Sequence, residues 1–199
     1  MINISVLVSG RGSNLQAIID GIDSGQIEDA QIKLVISSNE HAYALERAHD
    51  AGINTAVVSS ADFPGVEEKG DELLRLLEEA GTDLVVLAGY MSILSLRVCR
   101  AYKGRMINIH PSLIPKHCGE GMYGIKVHES VIASGDAESG ATVHYVDDKE
   151  VDGGEIILQN TVPVMPNDTP ETLAARVLET EHKLYVQGVN IAKNNIEKD

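Results

Sequence analysis

The first half of the chain alternates short apolar runs with stretches of helical period, and few architectures accept that alternation. Residues 2–8 form an apolar run closed by Ser9-Gly10-Arg11-Gly12-Ser13-Asn14, after which Leu15, Ile18, Ile19 and Ile22 recur at helical spacing. A second strand follows at 32–37, then a helix at 41–51 stopped by Gly52, a strand at 55–58, and a helix from 66 to 80 stopped by Gly81. Residues 84–88 are apolar throughout, 89–94 read as the loop leaving that strand, and a helix around 96–102 leads into a further apolar run at 106–109. Strand and helix taking turns at these lengths predict a parallel, right-handed, doubly wound sheet.

The second half changes character. Residues 116–124 are irregular and glycine-bearing, 127–133 read as a short helix, and strand-like runs at 141–146 and 156–162 flank the acidic turn Asp147-Asp148-Lys149-Glu150-Val151-Asp152-Gly153-Gly154. Two strands joined without a helix predict an antiparallel pair, so the sheet is expected to be mixed here. A last helix over 171–193 carries Leu173, Val177, Leu178 and Leu184 as its apolar stripe. A length of 199 residues fits one domain, and one Phe with no Trp implies a core packed by Val, Ile, Leu and Ala.

A net charge of -14 argues against a nucleic-acid partner, which calls for a basic footprint, but leaves room for small anions held by helix-terminal amides. No apolar stretch approaches the roughly 18 residues of a spanning helix, so no membrane association is expected. With two cysteines and no cationic, apolar leader, the expected setting is cytoplasmic.

The candidate chemistry sits where the 106–109 run halts at His110-Pro111, because Pro111 withholds a backbone donor. Asn108 and His110 are two residues apart, so on a strand both side chains leave one face, at the carboxyl edge where open α/β sheets bind ligands. Asp152, lifted out of the acidic turn by the two glycines after it, is the natural orienter of the imidazole. A carboxylate beside the ring is expected to raise its pKa. The imidazolium and the amide would then stabilise a developing oxyanion, which suits acyl or formyl transfer to an amine that attacks directly. Singly, each residue reads as readily as a cap, a satisfied buried histidine or a turn former; their combination carries the functional reading.

Other chemistries fit less well. Ser112 lacks a Gly-x-Ser-x-Gly elbow, and Cys118, with His117 beside it, lacks a helix start that would lower its pKa. His110, His117, His128 and His144 show no zinc spacing; no metal is expected, and most of them read as surface or supporting residues. In the glycine loop, Leu15 stands where a dinucleotide fingerprint needs its third glycine, and Asn39 where it wants an acid. A terminal phosphate is therefore expected at this helix start, with Ser13 or Asn14 as N-cap.

The segment Asn108-Ile109-His110-Pro111-Ser112-Leu113-Ile114-Pro115-Lys116 resembles the signature of the folate-dependent formyltransferases, and Asp152-Gly153-Gly154 resembles its second half. Ser9-Gly10-Arg11-Gly12-Ser13-Asn14-Leu15-Gln16-Ala17 looks like the phosphate loop of the phosphoribosylglycinamide branch of that family. Leu87-Ala88-Gly89-Tyr90-Met91 followed by Ile93-Leu94 looks like its folate-site strand and loop. The match covers nearly the whole chain in order. Transfer-RNA relatives are expected to add a C-terminal domain, and deformylases an N-terminal one, and neither is expected here.

The resemblance implies a Rossmann-like α/β/α fold in three layers, with a mostly parallel seven-stranded sheet and one antiparallel strand in the C-terminal half. It implies a single domain over 1–199, with 1–105 binding the phosphoribosyl substrate and 106–199 carrying catalysis and folate binding. The implied reaction is formyl transfer from 10-formyltetrahydrofolate, a cosubstrate, to the glycinamide amine in purine biosynthesis, by a monomer or homodimer. Gly12, Ser13 and Asn14 would hold the ribose phosphate and Glu181 the ribose hydroxyls. Asn108 and His110 would polarise the formyl carbonyl. Asp152 would sustain the imidazolium and help move the proton. Met91, Ile93, Leu94 and the 146–151 loop would enclose the pteridine, with Asn108 and Asp152 also touching the folate. Two departures stand out: Ser92 lies where several relatives place an Arg near the folate tail, and 116–123 differs from the shorter loop of better-known members.

Overall fold

The computed structural model describes residues 1–196. Its elements run β1 (Ile2–Val8), α1 (Ser13–Asp23), β2 (Ala30–Ser37), α2 (Tyr43–Asp50), β3 (Asn54–Val57), α3 (Val66–Glu79), β4 (Leu84–Leu87), α4 (Leu96–Ala101), β5 (Met106–His110), α5 (Ile125–Ser134), β6 (Glu138–Tyr145), β7 (Ile156–Pro163) and α6 (Pro170–Ile196). The seven strands form one sheet in the order β3-β2-β1-β4-β5-β6-β7. Neighbours from β3 to β5 are parallel, while β6 is antiparallel to both β5 and β7. The single reversed strand lies in the C-terminal half, as expected.

Strand period separates two cores. Ile4, Val6 and Val8 of β1, Leu84 and Val86 of β4, and Ile107 and Ile109 of β5 pack on one face with residues of α1, α2 and α6. Leu7, Val85, Leu87 and Met106 point the other way, against Leu73 and Leu77 of α3 and Val98 of α4. All four residues of β4 are buried, which is why this central strand reads as an unbroken apolar run. Parity then assigns Asn108 and His110 to the side of Met106, the α3 and α4 face.

One local expectation is corrected. Neither Ser13 nor Asn14 caps α1; the N-cap is Gly12, in the left-handed region at φ +71, with no side-chain bond. A Cβ there would stand 2.6 Å from Ala44 Cβ, so the glycine is required by the close approach of α2 as well as by the turn. Asn14 is freed for another partner.

Candidate active site

Pairing of β5 with β6 sets His144 directly across from Asn108 and Thr142 across from His110. The Asn108 side chain donates to His144 Nε2 at 3.2 Å, and His144 Nδ1 faces the Tyr145 carbonyl at 2.9 Å. Since a carbonyl only accepts, His144 carries its proton on Nδ1 and receives the amide at Nε2. Thr142 ties the turn after His110 to β6: its hydroxyl donates to the Ser112 carbonyl at 2.7 Å and accepts from the Ile114 N–H at 3.2 Å. Ser112 Oγ is committed to the Lys116 carbonyl at 2.6 Å, a turn bond rather than part of a triad.

Asp152 reaches the pair from the connection between β6 and β7. It has φ +59, and a Cβ on Gly154 would lie 1.8 Å from the Tyr145 carbonyl oxygen, so the chain folds back against β6 closer than any side chain permits. The Asp152 carboxylate is thereby 3.5 Å from Asn108 Nδ2, 3.5 Å from His110 Nδ1 and 3.6 Å from His144 Nε2, and accepts the Gly119 N–H at 3.1 Å. The three side-chain contacts are too long to be strong hydrogen bonds. They leave the second N–H of the Asn108 amide and Nδ1 of His110 turned, with the carboxylate, toward a common centre.

Electrostatics corrects the expected state of His110. Burial pushes its pKa below the usual histidine value, and neither Asp152 nor the bond to the His117 carbonyl reverses that. For Asp152 burial acts upward, but the His144 contact, the nearby His110 and the Gly119 N–H outweigh it, and the carboxylate stays ionised. Burial thus works against the imidazolium that the local reading expects, while the contacts of Asp152 favour its carboxylate.

His128 of α5 is buried, its Nδ1 has no partner, and burial followed by the nearby His110 pulls its pKa down to about 4. The unfolded chain binds the proton first, so stability should rise with pH between about 4 and 6.5, with up to about 3 kcal/mol lost across that window on acidification. Urea melts of wild type and His128→Leu over this range should give a shallower slope for the variant; equal slopes would remove His128 from that account.

The expected substrate-side residues also meet. Asn14 Nδ2 donates to Glu181 Oε2 at 2.8 Å across 167 positions of sequence, both are buried, and Asn14 Oδ1 has no partner. Burial lifts the Glu181 carboxyl, which the Asn14 bond opposes. Gly12 and Ser13 lie at the start of α1, whose first N–H groups have no intrahelical partner. Ser9 Oγ accepts the Met91 N–H at 2.8 Å, stapling the 89–94 loop to the glycine loop. Met91 and Ile93 are exposed, whereas Leu94 is half-buried against the α3 and α4 core.

Two contributors were missed from sequence. His144 occupies an inward position of a strand whose alternate residues Ala141 and Val143 are core, a signal that alternation alone could have raised. Lys69 is buried with its ammonium on Ser60 Oγ and Ser92 Oγ, at 3.2 and 2.9 Å, which pins the 89–94 loop; nothing in the sequence marks it.

At this edge of the sheet an amide, an imidazole and a carboxylate converge, on the same edge as a helix start whose first N–H groups suit an anion. With the mixed seven-stranded sheet, it defines a group-transfer enzyme. The chain belongs to the formyl transferase family, which it matches over residues 2–189. It is 44% identical over 185 residues to the phosphoribosylglycinamide formyltransferase of Haemophilus influenzae, covering 93% of this chain and 84% of that protein. It is 48% identical over 180 residues to the trifunctional purine biosynthetic protein adenosine-3 of Drosophila pseudoobscura pseudoobscura, covering 90% of this chain but only 13% of that much longer protein. The crystal structure of glycinamide ribonucleotide transformylase 1 from Symbiobacterium toebii superposes with a TM-score of 0.90 at 39% identity, covering 98% of this chain and 89% of that one.

Proposed function

We propose that this chain transfers the formyl group of 10-formyltetrahydrofolate to the glycinamide amine of 5-phosphoribosylglycinamide, giving formylglycinamide ribonucleotide and tetrahydrofolate in de novo purine biosynthesis. The observation that carries the reading is the convergence of Asn108, His110 and Asp152 on one point, at the sheet edge that also bears the start of α1. Gly12, Ser13 and Asn14 offer the start of α1 to the ribose phosphate, and Glu181, paired with the Asn14 amide, receives the ribose hydroxyls. Exposed Met91 and Ile93 give an apolar wall for the pterin, with Leu94 beneath it. The half before residue 106 thus serves the phosphoribosyl substrate and, through Met91, Ile93 and Leu94, the pterin, while the half after it carries the chemistry and, through Glu181, part of the ribose site.

In the reaction, the amine attacks the formyl carbon, and Asn108 donates to the oxygen as charge builds there. His110 Nδ1 takes the proton that the attacking nitrogen must lose. Asp152 stabilises the resulting imidazolium and helps return the proton to the folate nitrogen as the C–N bond breaks. The imidazolium expected from sequence then arises within the reaction rather than before it.

Mixing protein, 10-formyltetrahydrofolate and glycinamide ribonucleotide, and following the absorbance of deformylated folate, tests the proposal. Turnover should require the amine. Equal turnover without it would make the chain a deformylase, and binding of both compounds without turnover would make it a carrier. Asn14→Ala should raise KM for the ribonucleotide about 10-fold or more while leaving KM for the folate unchanged, since it unpairs the buried Glu181.

A further inference from the structure

The glycine loop ahead of α1 is held from behind by α2. Gly12 accepts φ of either sign, so the peptide that joins it to Arg11 can turn over at little steric cost, and nothing within the loop settles which way its carbonyl points. Two donors of α2 settle it. The Ala44 N–H donates to the Gly10 carbonyl at 3.0 Å, and Arg47 Nε donates to the Arg11 carbonyl at 2.9 Å. In a trans peptide the N–H points opposite to the C=O, so drawing both carbonyls onto α2 turns the N–H groups of Arg11 and Gly12 away from it. Among the described residues neither of these donates to a protein group, and neither do the N–H groups of Ser13 and Asn14 that follow. Four consecutive amides left without a partner are the makings of an anion-binding nest.

Arg47 is more than a donor to that carbonyl. Its Nη1 donates to Gln16 Oε1 of α1 at 3.0 Å, its guanidinium lies 5.0 Å from the centre of the Tyr43 ring, and its Cδ stands 3.4 Å from where a Cβ of Gly12 would be. Two of its five N–H groups are thus spent on neutral oxygens. Arg75, Arg97, Arg100 and Arg176 each meet a carboxylate, whereas among the described residues none lies within 4.0 Å of Arg47. A half-buried guanidinium that stays charged, without a counterion, in a chain of net charge -14 is placed to favour an anion arriving at the loop it holds.

We propose that Arg47 is a positioning residue for the phosphorylated substrate: it draws the Arg11 carbonyl onto α2, so that the Gly12 N–H faces the phosphate, and adds its uncompensated charge behind the loop. This rests on the function proposed above. Without that bond the peptide is free to turn its carbonyl oxygen toward the phosphate, where it would repel.

The test compares glycinamide ribonucleotide with the same amine lacking its phosphate. Arg47→Met, which keeps the aliphatic stem against Gly12, should raise KM for the phosphorylated amine about 10-fold or more, with kcat and KM for the folate within about 2-fold of wild type. With the dephosphorylated amine the two proteins should share one kcat/KM. Arg47→Lys, which keeps the charge and a donor, should return KM for the ribonucleotide to within about 3-fold of wild type. If Arg47→Met does not fold, Arg47→Gln serves with the same expectations. Titration with ribose 5-phosphate, followed at the Gly12 and Ser13 amide resonances, reads the loop without turnover: both should move in wild type, and the neutral variant should need about 10-fold more ligand. An unchanged KM for the ribonucleotide, or an equal loss with and without the phosphate, overturns the proposal, since an arginine that only supports the fold would not distinguish the two amines. Wild-type protein that binds ribose 5-phosphate at these amides, more weakly once Arg47 is replaced, but transfers no formyl group would refute the reaction and leave the role of Arg47 standing.

Discussion

His110→Ala should lower kcat for formyl transfer by about 10³-fold or more while both substrates still bind. The substitution removes the group that accepts the proton of the attacking amine, typically worth about 10²- to 10⁴-fold. It also removes the cation that would face the developing oxyanion, an effect of similar size. These contributions overlap because one ring supplies both, so their product overstates the loss. Asn108→Ala should lose about 10²- to 10³-fold, since the amide contributes only the hydrogen bond. Single-turnover measurements with saturating folate and ribonucleotide separate chemistry from binding. His110→Ala turning over within a few-fold of wild type would mean that the convergence at the end of β5 is not where the formyl group is transferred.

Gly154→Ala should damage the enzyme without touching a reacting group. Its Cβ would fall 1.8 Å from the Tyr145 carbonyl oxygen and 2.7 Å from the carbonyl carbon, and both are backbone atoms that no rotamer change can move. The connection must lift from β6, costing about 2 kcal/mol or more by analogy with forced overpacking. For a chain of this length that corresponds to a fall in Tm of about 4–8 °C. Asp152, two residues earlier, is carried off with it, so kcat should fall by about 10²-fold. Gly153→Ala is the control. Its added Cβ meets Glu150 Cβ at 2.7 Å, an exposed neighbour in a turn with more room to adjust, and the loss should be clearly smaller. Equal behaviour of the two variants would mean that the close approach to Tyr145 does not hold Asp152 in place.

The glycine pair after Asp152 illustrates what was legible before any coordinates. A carboxylate followed by two residues without side chains signals a tight backbone path, and the path proved to be one that folds the 146–155 connection against β6. Asn108 and His110 were equally legible, because a strand has a period of two and Pro111 marks where it stops. Helix ends were less so. Ser13 and Asn14 have capping chemistry, but α2 packs against Gly12, and that contact, not local propensity, decided the N-cap. His144 escaped notice as a partner of Asn108 because the register of an antiparallel pair depends on how two strands slide past one another. The protonation of His110 went the other way from the local reading: Asp152 was visible in the sequence, whereas burial, which outweighs it, was not.

Spacing along one chain determined the sheet class, the face shared by Asn108 and His110, and the candidacy of Asp152, because each depends on periods and turns that a few consecutive residues set. Only the tertiary structure decided the pairing of Asn14 with Glu181, the place of His144 and the approach of the His117 carbonyl to His110 Nε2. Those depend on distances between groups far apart in sequence and on the loss of water around them, and both come into being when the layers close.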